Sequence, residues 1–374
     1  DVSVWELLLP LINGSKLVFA LPGGQGDVNY LKELIESEQI TMLHFIPSML
    51  EAFLEGLSAG NCISLRRVLS GGEALTLDQI QQFRELFPST RLDHTYGPTE
   101  TTIDASIWQV PEDISSVTKV SIGKPVANTS LYVLDDQKKL VPVGVIGELY
   151  VGGIQLAKGY LNRDDLTKEQ FVINSFKEDE QIYKTGDLAR WLPDGTVEFI
   201  GRKDTQVKVR GYRIELGEIE NSLAALPDIS QSCVMTWERN GVNLLVSYVV
   251  VTEGFDQNIS WKEVLQEQLR ESLPDYMVPQ LWVRLKEMPL LPNGKLDRNS
   301  LPSLDNSELS SKEYVAPKTA KEKQLVTIWQ DLLDVEKVGV YDNFFELGGH
   351  SLLAVRLISS IQEIGYSINV RDIF

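Results

Sequence analysis

The chain has 374 residues, 43% hydrophobic and 24% charged, which suits a soluble globular protein with room for two or three domains. A formal charge of −18 and a pI near 4.7 argue against a sequence-independent nucleic-acid binder, which needs a positive field against phosphates. Only Cys62 and Cys233 are present, without metal-ligand spacing, and no apolar run reaches membrane-spanning length, so the expectation is a cytoplasmic protein with no disulfide framework and no membrane partner.

In chain order, residues 1–200 alternate helical patterns with short β-rich runs. Residues 30–40 and 77–87 read as amphipathic helices, and 41–46 and 67–69 as buried strands. Such alternation predicts an α/β architecture. From Leu131 onward strands dominate, at 131–134, 148–151 and 197–200, punctuated by Val-Gly, Gly-Gly and Asp-Gly turns. After Gly201-Arg202-Lys203-Asp204 the pattern resets to a compact α+β unit. Its elements are a strand at 206–210, a helix at 216–226, a β run at 243–251, a helix at 261–272 and a strand at 282–285. Residues 301–316 contain Ser and Pro with weak periodicity and read as a linker. Residues 317–374 are helical, with clear helices at 321–333 and 351–364.

One run stands out near the C-terminus, Asp342-Asn343-Phe344-Phe345-Glu346-Leu347-Gly348-Gly349-His350-Ser351-Leu352-Leu353. Leu353, Leu357, Ile358 and Ile361 recur at helical spacing, so Ser351 opens a helix behind a Gly-Gly turn. A serine there is ordinarily a helix N-cap. Unpaired amides and the helix dipole at such a position also favour an anion.

Five further patterns follow one another: Tyr96-Gly97-Pro98-Thr99-Glu100-Thr101-Thr102, Tyr183-Lys184-Thr185-Gly186-Asp187-Leu188, Gly201-Arg202-Lys203-Asp204, Val209-Arg210-Gly211-Tyr212-Arg213-Ile214-Glu215 and Asn293-Gly294-Lys295-Leu296-Asp297-Arg298. Each is modest alone. In this order they resemble the adenylation domains of nonribosomal peptide synthetases, within the adenylate-forming superfamily. The Ser351 run resembles the 4'-phosphopantetheine attachment site of a peptidyl carrier domain, and the resemblance covers essentially the whole chain. Gly147 to Gly153 through Lys158-Gly159-Tyr160-Leu161, and Leu273 to Pro279, also fit, and for these two stretches turn and packing chemistry is a sufficient reading.

The resemblance implies a fold in three parts. Residues 1–203 would be the C-terminal part of an α/β large adenylation subdomain with a β-barrel-like portion, and 204–300 an α+β small subdomain. After a linker at 301–316, residues 317–374 would be an all-α carrier bundle lacking its last helix. It also implies roles. Tyr96 would stack on adenine with Phe199 near the base, Thr99 would contact phosphate, and Glu100 would hold Mg²⁺. Asp187 would accept the ribose hydroxyls and Arg202 would bind ribose or phosphate. Gly72 and His94 fall on nucleotide-contacting positions, His94 where the family often has Asn. Lys295 would neutralise charge as pyrophosphate leaves, Asp204 would be the hinge between two orientations of the small subdomain, and Ser351 would carry the arm.

By the same resemblance Asp1 would pair with the substrate ammonium, which implies an amino acid. The pocket would continue through Val2, Trp5, His44, Leu69, Gly71, Thr95, Ile103 and Asp104, a set similar to the family's serine-type pockets. Gly71 and Thr95 depart from that type. Gly71 is expected to leave extra room, so threonine, homoserine and a diamino acid stay open beside serine. The expected reaction joins ATP and the amino acid as aminoacyl-AMP and loads a thioester on the Ser351 arm. Expected partners are a phosphopantetheinyl transferase, neighbouring condensation, thioesterase or epimerase domains, and the other half of the adenylation domain. That half, with its phosphate loop, would lie before Asp1, and the chain reads as a piece of a secondary-metabolite synthetase. Two alternatives remain open: a carrier and docking module without its own adenylation, and an acyl-CoA ligase-like enzyme, against which Asp1 and Ser351 both count.

Overall fold

The computed structural model describes residues 1–203, 206–209, 211–239, 242–252, 261–291, 296–302, 314–333, 335, 337–344, 347, 349, 351–366, 368 and 373. Two compact units divide the chain, Asp1–Asp204 and Thr205–Phe374.

The first unit opens with helix α1 (Ser3–Ile12), then α2 (Val28–Glu38), β1 (Met42–Phe45), α3 (Pro47–Glu55), β2 (Arg67–Gly71), α4 (Leu77–Leu86), β3 (Arg91–Tyr96), β4 (Ser106–Gln109) and β5 (Lys124–Pro125). The strands form one sheet in chain order, with β1, β2 and β3 parallel and β4 and β5 antiparallel. Local chemistry marks the helix starts. The Asp27 carboxylate accepts the Tyr30 amide at 3.0 Å, Pro47 opens α3, and Thr76 and Gln79 form a reciprocal capping box on α4. Packing weighs more than these caps. Leu31 and Ile35 of α2, Leu50 and Phe53 of α3, and Ile80 and Phe83 of α4 bury themselves against Phe45, Val68 and Leu92 of the strands. Each fully buried side chain of this kind contributes roughly 1.5–3 kcal/mol, against about 1 kcal/mol for a cap.

Strand alternation then fixes a second face. With Phe45, Val68 and Leu92 turned to the helices, His44, Leu69, Gly71 and Thr95 share the opposite side. Register places His44 beside Leu69 and Gly71 beside Thr95.

The rest of this unit is a curved antiparallel sheet of β6 (Thr129–Leu134), β7 (Gly147–Gly153), β8 (Phe171–Ile173), β9 (Gln181–Trp191) and β10 (Val197–Arg202), with the short helix α5 (Asp164–Gln170) before β8. The order is β10-β9-β7-β6, with β8 also on β9. Tyr96 and Ala105 join its core with Val133, Leu149, Val151, Ala189 and Val197, so the two sheets share apolar contacts. This is the barrel-like portion that the resemblance implies.

The second unit starts with the hairpin β11 (Gln206–Val209) and β12 (Tyr212–Glu215), followed by α6 (Leu216–Ala224), β13 (Ile229–Arg239), β14 (Val242–Val251), α7 (Trp261–Arg270) and β15 (Leu281–Arg284). Val234, Leu245 and Val249 of the three-stranded sheet pack on Ile219 and Leu223 of α6 and on Leu265 and Leu269 of α7. The alternate residues Cys233, Leu244, Val246 and Tyr248 face the other way. Their cluster continues to α8 (Ala320–Leu333) and α9 (Ser351–Glu363) through Leu333, Leu353, Leu357 and Ile361. Cys62 and Cys233 are free and buried. Among the described residues no helix is long and apolar enough to cross a membrane.

Candidate active site

Parallel strands of an open α/β sheet present ligands at their carboxyl ends. His44, Leu69, Gly71 and Thr95 stand at those ends of β1, β2 and β3, and α1 meets the same face. The Trp5 ring meets the His44 ring edge-on at 5.8 Å, and a Glu6 carboxylate oxygen lies 3.6 Å from His44 Nδ1. Thr95 is hydrogen-bonded to Asp104, whose carboxyl is pushed up by burial, an effect that the Thr95 bond and the charge of His44 oppose. The Ile103 amide donates to Asp1 Oδ2 at 3.0 Å. Asp1, Trp5, His44, Thr95, Ile103 and Asp104 are thereby linked in one region. Val2 is half-buried, Leu69 is buried, and Gly72 is exposed in a left-handed conformation (φ 88°) where β2 turns away.

Gly71 differs from its expectation. A Cβ there would stand 2.2 Å from Thr95 Oγ1 and 2.9 Å from the Thr95 carbonyl, so the space beside it is filled rather than open. The space that Gly71 leaves on β2 is thus taken by the Thr95 side chain of the neighbouring strand β3. Gly71→Ala is expected to cost about 1–3 kcal/mol by overpacking. Adding Thr95→Ala should return part of that loss, readable as melting temperatures of the single and double variants.

The turn after β3 is tight for a reason that Gly97 supplies. A Cβ at Gly97 would lie 2.1 Å from the Ile103 carbonyl and 2.8 Å from the Ala105 amide nitrogen. The segment folds back on itself, with Thr102 (φ 55°) and Ile103 (φ 72°) both left-handed. Such conformations in β-branched residues are costly, and they cluster at functional sites. Thr99 and Glu100 lie in the short 3₁₀ turn Thr99–Thr101 within this loop.

Beside it lies a buried polar network. Tyr96 Oη donates to Asp187 Oδ2 at 2.5 Å, and Arg202 Nη1 donates to Asp187 Oδ1 at 2.5 Å. Arg202 Nη2 also reaches the Thr185 carbonyl at 3.1 Å, and the Asp187 amide bonds Thr185 Oγ1 at 3.0 Å. Register explains the meeting, since Arg202 of β10 is the direct partner of Asp187 of β9. Burial, then the Asp187 charge, pushes the Tyr96 phenol well above its ordinary pKa, so it stays a neutral donor. Phe199 packs against the cluster that contains Tyr96. His94 is buried and pairs through Nδ1 with the Ser121 carbonyl at 2.8 Å; a carbonyl only accepts, so Nδ1 carries the proton.

A residue that sequence reasoning left to packing also appears here. Tyr160 Oη donates to Glu100 Oε1 at 2.6 Å, and its signal was only the Gly159-Tyr160 pair in a turn-like stretch. Among the described residues no group of three or more His, Cys, Asp or Glu side chains could cage a metal. One carboxylate with neighbouring hydroxyls suits Mg²⁺, which takes hard oxygen ligands and usually completes its shell with substrate phosphates and water. Asp204 and Lys295 lie outside the described residues. Ser351 is the first residue of α9, and its side chain likewise lies outside what is described.

Comparison with known proteins follows the same layout. The family described as AMP-binding enzyme matches residues 1–161, its C-terminal domain matches 218–295, and the phosphopantetheine attachment site matches 323–374. Tyrocidine synthase 3 of Brevibacillus parabrevis is 46% identical over 97% of the chain, and malpibaldin synthetase of Mortierella alpina is 43% identical over 100% of it. The chain spans only 6% and 7% of the lengths of those two relatives. Among solved structures, holo-PA1221, an NRPS protein containing adenylation and PCP domains bound to a vinylsulfonamide inhibitor, aligns with a TM-score of 0.75 at 29% identity. That alignment covers 91% of this chain and 55% of the other. Holo-AB3403, a four-domain nonribosomal peptide synthetase bound to AMP and glycine, aligns with a TM-score of 0.51 at 37% identity, over 99% of this chain and 27% of its own.

Proposed function

Because the chain belongs to the adenylate-forming ligases with a carrier domain, as found in nonribosomal peptide synthetases, we propose that it activates an amino acid, serine first, and loads it on an arm at Ser351. The family's cofactors are 4'-phosphopantetheine, ATP and Mg²⁺. The observation that carries this reading is the Tyr96–Asp187–Arg202 network, which joins a carboxylate and a guanidinium of the antiparallel sheet to the aromatic ring at the carboxyl end of β3.

In this reading Asp1 binds the substrate ammonium, and His44, Thr95 and Asp104 face a short polar side chain. Tyr96 and Phe199 flank adenine while Asp187 and Arg202 hold the ribose. The substrate carboxylate attacks the α-phosphorus of ATP, and pyrophosphate departs. Lys295 offsets the charge that builds on the reacting oxygens, and Glu100 with Thr99 orients the Mg²⁺-bound phosphates. Bound at Ser351, phosphopantetheine would supply the thiol that takes the acyl group from the adenylate as AMP leaves, and tethering would make the next coupling effectively intramolecular. Asp204 is the pivot that brings the Lys295 segment and then the Arg210–Glu215 face to the site. The domains follow as 1–203, 204–300 and 317–374. The partners are a phosphopantetheinyl transferase, neighbouring synthetase domains, and the preceding adenylation half with its phosphate loop.

The test is intact mass after treatment with a phosphopantetheinyl transferase and coenzyme A, then ATP, Mg²⁺ and single amino acids. An arm-sized gain followed by a serine-sized gain supports the whole reading. A gain from a different amino acid overturns serine alone. An arm that accepts no amino acid leaves a carrier without its own adenylation.

A further inference from the structure

The Gly159-Tyr160 stretch does more than turn the chain. Tyr160 is held from three sides. Its amide donates to Thr167 Oγ1 at 2.9 Å, and that hydroxyl donates on to the Arg163 carbonyl at 2.9 Å, locking the stretch to α5. A Cβ on Gly159 would stand 2.4 Å from Thr167 Cγ2, so only glycine permits this approach. The Tyr160 ring meets Phe171 edge-on at 5.8 Å, and its hydroxyl lies 3.4 Å from that of Tyr183. Thus fixed, the phenol donates to Glu100 Oε1 at 2.6 Å, while the Ala157 amide donates to the Glu100 backbone carbonyl at 2.8 Å.

We infer that Tyr160 is a positioning residue for the Glu100 carboxylate, fixing the orientation in which that carboxylate takes a divalent cation bound to nucleotide phosphates. The inference rests on the reading of Glu100 as the Mg²⁺ carboxylate. Facing a carboxylate oxygen, the phenol hydroxyl is the partner that donates. A free glutamate samples several rotamers, whereas a short charge-assisted bond from a rigid ring selects one. Partners of this kind behind a ligating carboxylate tune metal affinity. Both the side chain and the backbone of Glu100 are hydrogen-bonded to residues within 157–160, which ties the loop to the stretch.

The experiment measures Mn²⁺ binding to the complete adenylation domain with α,β-methylene-ATP, through loss of the free-ion paramagnetic resonance signal. Tyr160→Phe removes only the hydroxyl and should raise the Mn²⁺ dissociation constant roughly tenfold. In a Glu100→Gln background the same change should add little, because the two act as a unit. A Tyr160→Phe protein that binds Mn²⁺ as tightly as the parent overturns the inference. Should that variant fail to fold, Thr167→Ala loosens the tyrosine with every ring kept, and the expected result is a smaller rise in the same constant; no rise overturns the inference. Glu100→Gln with undiminished Mn²⁺ affinity sinks the metal assignment itself, an outcome distinct from a failure of Tyr160 alone.

Discussion

Replacing Asp187 with Ala is expected to lower the unfolding free energy by about 3–5 kcal/mol. The Asp187 side chain is 7% exposed and is shared by a buried phenol and a guanidinium whose side chain is 14% exposed. Removing one partner of such a pair strips the other of compensation where water cannot substitute. Against a typical stability of roughly 5–15 kcal/mol, a loss of about 3–5 kcal/mol is at least about a fifth of the total. Urea unfolding provides the check, as a lower midpoint at constant slope. Asp187→Asn should lose less, because the amide keeps one acceptor for Tyr96 Oη. An Asp187→Ala midpoint equal to the parent's would mean that the network is incidental to the fold.

The second large effect is all-or-none. Ser351→Ala should take up no arm when incubated with a phosphopantetheinyl transferase and coenzyme A, while the parent gains one by intact mass. Loss of fold is a poor alternative cause. Helix α9 is held by Leu353, Ala354, Leu357 and Ile361, all buried, so trimming the hydroxyl of its first residue leaves that packing in place. Adenylate formation in a complete enzyme should survive the change. An arm-sized gain in Ser351→Ala would remove the modification site from this serine.

Much of the architecture was readable from periodicity. The expected helices at 30–40 and 77–87 appear as Val28–Glu38 and Leu77–Leu86, each starting at a side-chain cap. The strand read at 67–69 runs two residues further, to Gly71, because Ser70 and Gly71 are buried between neighbours. Strand Ile229–Arg239 escaped notice: Gln231, Ser232 and Thr236 dilute its alternation, and pairing with β14 rather than propensity makes it a strand. The 11-residue strand Gln181–Trp191 was visible only as a motif around Asp187.

The site divides along the same physical line. Residue types within a motif are visible in one dimension, so Tyr96, Glu100 and Asp187 were candidates from the start. Contacts that depend on register or on a distant loop are not. That Thr95 occupies the space beside Gly71 follows from the pairing of β2 with β3, which no local pattern encodes. Tyr160 reaches Glu100 across 60 positions of sequence, and the neighbouring glycine hinted only at a turn.

The two buried cysteines have a practical consequence. Cys62 is 1% exposed, with a thiol that burial and Glu36 push up to about 11, and Cys233 is 0% exposed and also raised by burial. Thiolates are the reactive form, so both are nearly inert toward maleimides at neutral pH. Before modification the folded protein should therefore stay dark to a fluorescent thiol reagent. Afterwards the pantetheine sulfur would be the one reactive handle, and labelling stoichiometry would count carrier arms directly, with no cysteine to engineer away.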